Sequence, residues 1–160
     1  MIELTVLGIG NVLMRDDGVG VRVLERVRQV RDWPDAVEFV DGGAGGLNLI
    51  NVLEAAERLV VFDSAEMNLA PGEHRVITPR QFGDAPAEHR ASMHDAPFSE
   101  TLALVSRFFH EPELVRVLAI QPKVVDYGRA LSDELTAAMD HVTAAGVRLV
   151  EQTCGRTKTA

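Results

Sequence analysis

A chain of 160 residues, 46% hydrophobic and 25% charged, has the make-up of one globular domain. At that length roughly 70% of the unfolded surface can be buried without disulfides, and the single cysteine, Cys154, excludes an internal one and fits a reducing compartment. The formal charge of −8, with arginines spread singly, excludes a nucleic-acid partner, and the lack of a charged-then-apolar leader or a membrane-length apolar run predicts a cytoplasmic protein with no membrane role.

Apolar runs and helical patterns alternate along the chain. Glu3 to Leu7 reads as a strand that opens into Gly8-Ile9-Gly10, a turn whose backbone angles suit glycine. A helix follows from about Gly18 to Arg31, with Val19, Val23, Leu24, Val27 and Val30 at helical spacing, and Trp33-Pro34-Asp35 breaks it. Val37 to Val40 is a short second strand running into Asp41-Gly42-Gly43-Ala44-Gly45-Gly46, a glycine-rich specific turn. Leu47 to Ala56 reads as a second helix. Leu59-Val60-Val61-Phe62 is apolar with no alternation, the pattern of a strand buried on both faces at the centre of a parallel sheet, and it ends in Asp63.

The Pro71-Gly72 turn introduces an edge strand over Gly72 to Ile77. Residues 79 to 98 form a polar irregular stretch, and loops of that length inside a domain tend to be functional or disordered. Phe98 to Phe109 is helical, Leu114 to Ile120 is a further strand, and Ser132 to Glu151 is the last helix, with Ser132 and Asp133 at its N-cap. Gln152 to Ala160 lacks an apolar anchor and is expected to fray, leaving a single domain over 1–151 and a disordered tail over 152–160. The order β-α-β-α-β-β-α-β-α predicts an α/β fold, a three-layer α/β/α sandwich around a mostly parallel twisted sheet of about five strands.

The chemistry gathers after the first strand. Asp16 and Asp17 stand just beyond its carboxyl end, where open α/β sheets collect their ligands. A dinucleotide fingerprint would carry a third glycine where this chain has Leu13, and a pyrophosphate there would face two aspartates, so nucleotide binding is disfavoured. Asp63 ends the central strand, and a charge closing an apolar strand is costly unless solvated or paired. If the long loop folds over this edge, His94 joins Asp17 and Asp63. One imidazole and two carboxylates suit a borderline divalent ion and leave positions open for water or substrate, whereas a structural zinc site would recruit thiolates. Taken singly, Asp17 is an ordinary acid at a helix N-terminus, Asp16 an ordinary cap, and His94 a surface histidine. No Gly-x-Ser-x-Gly elbow and no His-Glu-x-x-His helix is present.

Gly8-Ile9-Gly10-Asn11 with Asp16-Asp17-Gly18-Val19-Gly20, then Asp41-Gly42-Gly43 and Val61-Phe62-Asp63, resemble the hydrogenase maturation proteases, endopeptidases that trim the C-terminus of the large subunit of nickel–iron hydrogenases. Asn68-Leu69-Ala70-Pro71-Gly72-Glu73, Ser92-Met93-His94 and Ala119-Ile120-Gln121-Pro122 extend the resemblance over residues 4 to about 150. It implies that Asp17, Asp63 and His94 form a metal site serving catalysis, with Asp17 one methylene shorter than the glutamate some members carry. It further implies Asp16 as a supporting or base residue and Asp41, Gly42 and Gly43 as a substrate-contacting loop. The implied metal is nickel, that of the substrate, for which another divalent ion can substitute. The implied partner is the large-subunit precursor, met by a monomer that cuts only after nickel loading. Whether the site recognises nickel or polarises the scissile carbonyl stays open. So does a non-catalytic nickel-sensing chaperone or adaptor built on the same ligands.

Overall fold

Five strands build one sheet: β1 (Leu4–Gly8), β2 (Val37–Asp41), β3 (Arg58–Ser64), β4 (His74–Ile77) and β5 (Leu114–Ile120). They lie in the order β2-β1-β3-β5-β4, all parallel except β4, which runs antiparallel to β5 at the edge. The structure is a computed structural model describing residues 1–78, 103, 105, 107 and 110–155. Helices α1 (Val19–Gln29) and α3 (Asp133–Cys154) cover one face, and α2 (Ile50–Ala55) lies on the other. No described helix is long and apolar enough to cross a membrane.

The apolar run of β3 is central because both of its faces are buried. Val60 and Phe62 pack with Val23, Val27 and Met139 beneath α1 and α3, while Leu59 and Val61 pack with Leu7, Leu53 and Val117 on the α2 side. A strand flanked on both faces gains from apolar side chains at every position, and alternation disappears. Val105 is helical and completes the second cluster. Ala103 and Arg107 are helical as well, while the other residues of the helix predicted over 98–109, and the stretch 79–98, lie outside the described residues.

Two glycines let α1 pack against the strands at their carboxyl ends. A Cβ on Gly20 would stand 2.3 Å from the carbonyl oxygens of both Ile9 and Phe62. At Gly10 φ is +147°, and a Cβ there would lie 2.0 Å from the Asp17 carbonyl oxygen. The glycine turn read from the sequence is thus a device for close approach as well as for its angles.

Some boundaries differ from expectation. The segment Arg15–Gly18 is a short 3-10 turn leading into α1, and Gly46–Leu49 is another that shortens α2 at its start. The tail expected to fray from Gln152 does not do so there: α3 continues to Cys154, and Thr153 is buried. Its hydroxyl donates to the Leu149 carbonyl at 2.7 Å, and its own carbonyl accepts from Arg58 Nη1 at 2.6 Å. A polar residue ends up inside because the helix backbone and an arginine satisfy it. Residues 156–160 lie outside the described residues.

Candidate functional site

The chain leaves β1 through α1 towards β2, then crosses back over β1 through α2 to reach β3. The carboxyl ends of β1 and β3 therefore flank the point where the strand order reverses, the usual ligand crevice of an open α/β sheet. Asp17 enters this crevice from the turn after β1, and Asp63 from β3 itself. Sequence reading placed Asp63 at the end of its strand. In the structure β3 runs on through Ser64, with Asp63 paired to Ala119 and Ser64 to Ile120.

Both carboxylates are buried, Asp17 at 1% and Asp63 at 4% exposure. Asp17 Oδ2 accepts from the Asn11 amide at 2.9 Å, and its Oδ1 accepts from the Ser64 hydroxyl at 3.4 Å. Oδ1 of Asp63 is buried and has no hydrogen-bond partner among the described residues. Burial, and after it the charge of Asp17, push the Asp63 pKa well above the ordinary carboxylate value, against the amide of Ser64, which favours the charged form. Buried carboxyl groups are normally satisfied. An unmet oxygen beside a second carboxylate has the donor chemistry of a cation site.

Asp16 has a different task. Its Oδ1 accepts from the Ser132 amide at 2.7 Å, and its Oδ2 accepts from the Lys123 amide at 3.0 Å, the Val124 amide at 2.9 Å and the Ser132 hydroxyl at 2.8 Å. Burial acts to raise its pKa, but the bonds from Ser132, Val124 and Lys123 outweigh it and hold the group below the ordinary value. The two adjacent acids point to different partners: Asp17 to Ser64, and Asp16 to the segment between β5 and α3, which it fastens beside the crevice.

The glycine loop lines the neighbouring rim. Asp41 Oδ1 accepts from the Gly43 amide at 2.8 Å, an Asx turn, while the Gly43 carbonyl accepts from the Gly10 amide at 2.7 Å. The positions a Cβ would take on Gly43 and Gly46 have no atom within 4 Å, so this backbone faces open space. His94 lies outside the described residues, and among those described no group of three or more His, Cys, Asp or Glu side chains is arranged to hold a metal ion. The structure thus brings Asp17 and Asp63 together.

Two polar residues here were given no role in the sequence reading. Ser64 joins Asp17 to β3. Gln121, just past β5 and buried, accepts from the Met67 and Leu69 amides at 2.8 and 3.2 Å and donates to Glu66 Oε2 at 2.9 Å, holding the segment after β3. A single glutamine has no spacing signature; its place after a strand at the ligand edge, and in the Ala119-Ile120-Gln121-Pro122 match, were the available signals.

Comparison with known proteins bears on the family of the chain and on its fold. A family model described as hydrogenase maturation protease matches residues 21–149. Hydrogenase expression/formation protein HoxM of Cupriavidus necator is 35% identical over 147 residues, covering 91% of this chain and 73% of that protein. HupD of Rhodobacter capsulatus, described in the same words, is 36% identical, covering 89% of this chain and 69% of its own length. Among solved structures, the hydrogenase maturating endopeptidase HybD from Escherichia coli superposes with a TM-score of 0.79 over 94% of this chain and 93% of that one, at 22% identity, a likeness of fold.

Proposed function

Since the chain belongs to the hydrogenase maturation protease family, we propose that it is the endopeptidase that removes the C-terminal extension of a nickel–iron hydrogenase large-subunit precursor after nickel insertion. The observation that carries this reading is the buried, unpartnered oxygen of Asp63 beside Asp17 at the ligand edge of the sheet. In this reading the nickel belongs to the substrate. Asp17, Asp63 and His94 grip it, and another divalent ion can take its place. A set of two carboxylates and one imidazole leaves coordination positions for ligands that the partner brings. Asp16 supports the crevice through the segment it fastens, and Asp41, Gly42 and Gly43 offer bare backbone to the substrate chain.

Asp63 has a plain role in such a step. Burial and the charge of Asp17 disfavour its ionised form, and a cation arriving between the two carboxylates offsets both and favours ionisation. Asn11 and Ser64 hold Asp17 in place for the same cation. The protein works as a cytoplasmic monomer on a folded, metal-loaded partner.

The test is incubation with apo and nickel-loaded precursor, read by mass spectrometry. Cleavage of the loaded form alone is expected, with loss of cleavage in His94→Ala. Equal cleavage of both forms would remove the nickel checkpoint and leave a conventional metallopeptidase. Capture of loaded precursor with no change in its mass would mark a nickel-sensing adaptor instead.

A further inference from the structure

A second cluster of metal-competent side chains lies away from the carboxylate pair. His74 at the start of β4 and His141 on α3 line one cleft of about 630 Å³, together with Leu69, Glu73 and Ala138. Their ring centroids stand 5.0 Å apart with planes tilted by 50°. Nδ1 of His74 is buried and has no hydrogen-bond partner among the described residues. Burial, and then the charges of His141 and Arg148, hold the His74 pKa below the ordinary histidine value, so near neutral pH the ring is uncharged.

We propose that His74 and His141 together form a second divalent-metal site, independent of Asp17 and Asp63, for an ion of the Ni(II), Cu(II) or Zn(II) class. Two imidazoles sharing one ion through bonds of about 2.0–2.1 Å place their ring centroids on the order of 5 Å apart, the separation this pair has. Neutral imidazole is the ligand such ions prefer, while magnesium and calcium take oxygen. An ion between the rings supplies the partner that the buried nitrogen lacks. Stacking of the two rings accounts for their separation but leaves that nitrogen unmet.

Only two side chains contribute, and Arg148 opposes a cation, so binding is modest and falls to the tighter-binding end of the series, copper and nickel. The bound ion ties β4, which pairs with β5 alone among the described strands, to α3. Binding to the folded state alone then raises the unfolding temperature.

The experiment uses the full chain with Ni²⁺ as probe, followed by thermal unfolding and by histidine-ring NMR. It compares the native sequence with His141→Ala, an exposed position whose loss leaves the core intact, and with Asp63→Asn, which disables the carboxylate pair. The expected result is joint paramagnetic broadening of the His74 and His141 rings, with a nickel-dependent rise in Tm that persists in Asp63→Asn, shrinks in His141→Ala and is lost when the two substitutions are combined. Unperturbed rings, or a rise unchanged by His141→Ala, would overturn the proposal and leave a stacked pair only.

Discussion

Asp63 is a residue the fold holds at its own expense. Its ionised form is buried, short of one hydrogen bond and close to Asp17. With the folded pKa above the unfolded one, its contribution is full below the unfolded value and is lost as pH rises through the folded pKa. Metal-free protein should therefore lose stability as pH rises from the unfolded value up to the folded one. Asp63→Asn should remove this pH-dependent loss and raise Tm near neutral pH while abolishing precursor processing; a lower Tm would show that the charge is stabilised by contacts outside those described. Asp16 behaves in the opposite sense. Its pKa is lowered, so its contribution is full above the unfolded value and is lost as pH falls through the folded one. Asp16→Ala leaves the buried amide and hydroxyl of Ser132 and the amides of Lys123 and Val124 without their acceptor, at a cost of about 3 kcal/mol in urea unfolding. Chain adjacency could not distinguish the two acids, because the partners of Asp16 lie 107 to 116 residues further on.

At the scale of elements, α1 approaches the strands closely. Gly20 lies against the Ile9 carbonyl just past β1 and the Phe62 carbonyl of β3 at once, so Gly20→Ala forces the helix away from both and should cost about 3 kcal/mol, since backbone cannot yield as a side chain can. Retained unfolding free energy in that variant would mean that α1 packs less tightly than the contacts require. The elements legible in the sequence were those whose pattern reflects their surroundings. The unalternating run of β3 signals burial on both faces, and the Pro71-Gly72 turn announces the edge strand that follows. The last turn of α3 was not legible, because Gln152-Thr153-Cys154 looks polar and its burial depends on Arg58, far away in the chain. Half of the site was readable in the same way: an acid after an apolar run stands out, whereas Ser64 and Gln121 act through contacts that no spacing encodes.

For the molecule as a whole, the position of β3 decides what can move. It pairs with β1 on one side and β5 on the other, and both of its faces are covered. Local openings draw on exposed edges and sparse contacts, so the centre of such a sheet opens only with global unfolding. Amide hydrogen exchange should therefore be slowest at Val60, Val61 and Phe62, with protection equal to the full unfolding free energy, and faster along β4. Exchange in β3 as fast as in β4 would refute this order. Asp63 lies on this central strand, so on the function proposed above its carboxylate could not retreat to let a held cation go. Release of a processed partner would then begin on the partner's side of the contact or in segments beyond the central strands, and turnover would be a property of the pair of proteins rather than of this fold alone.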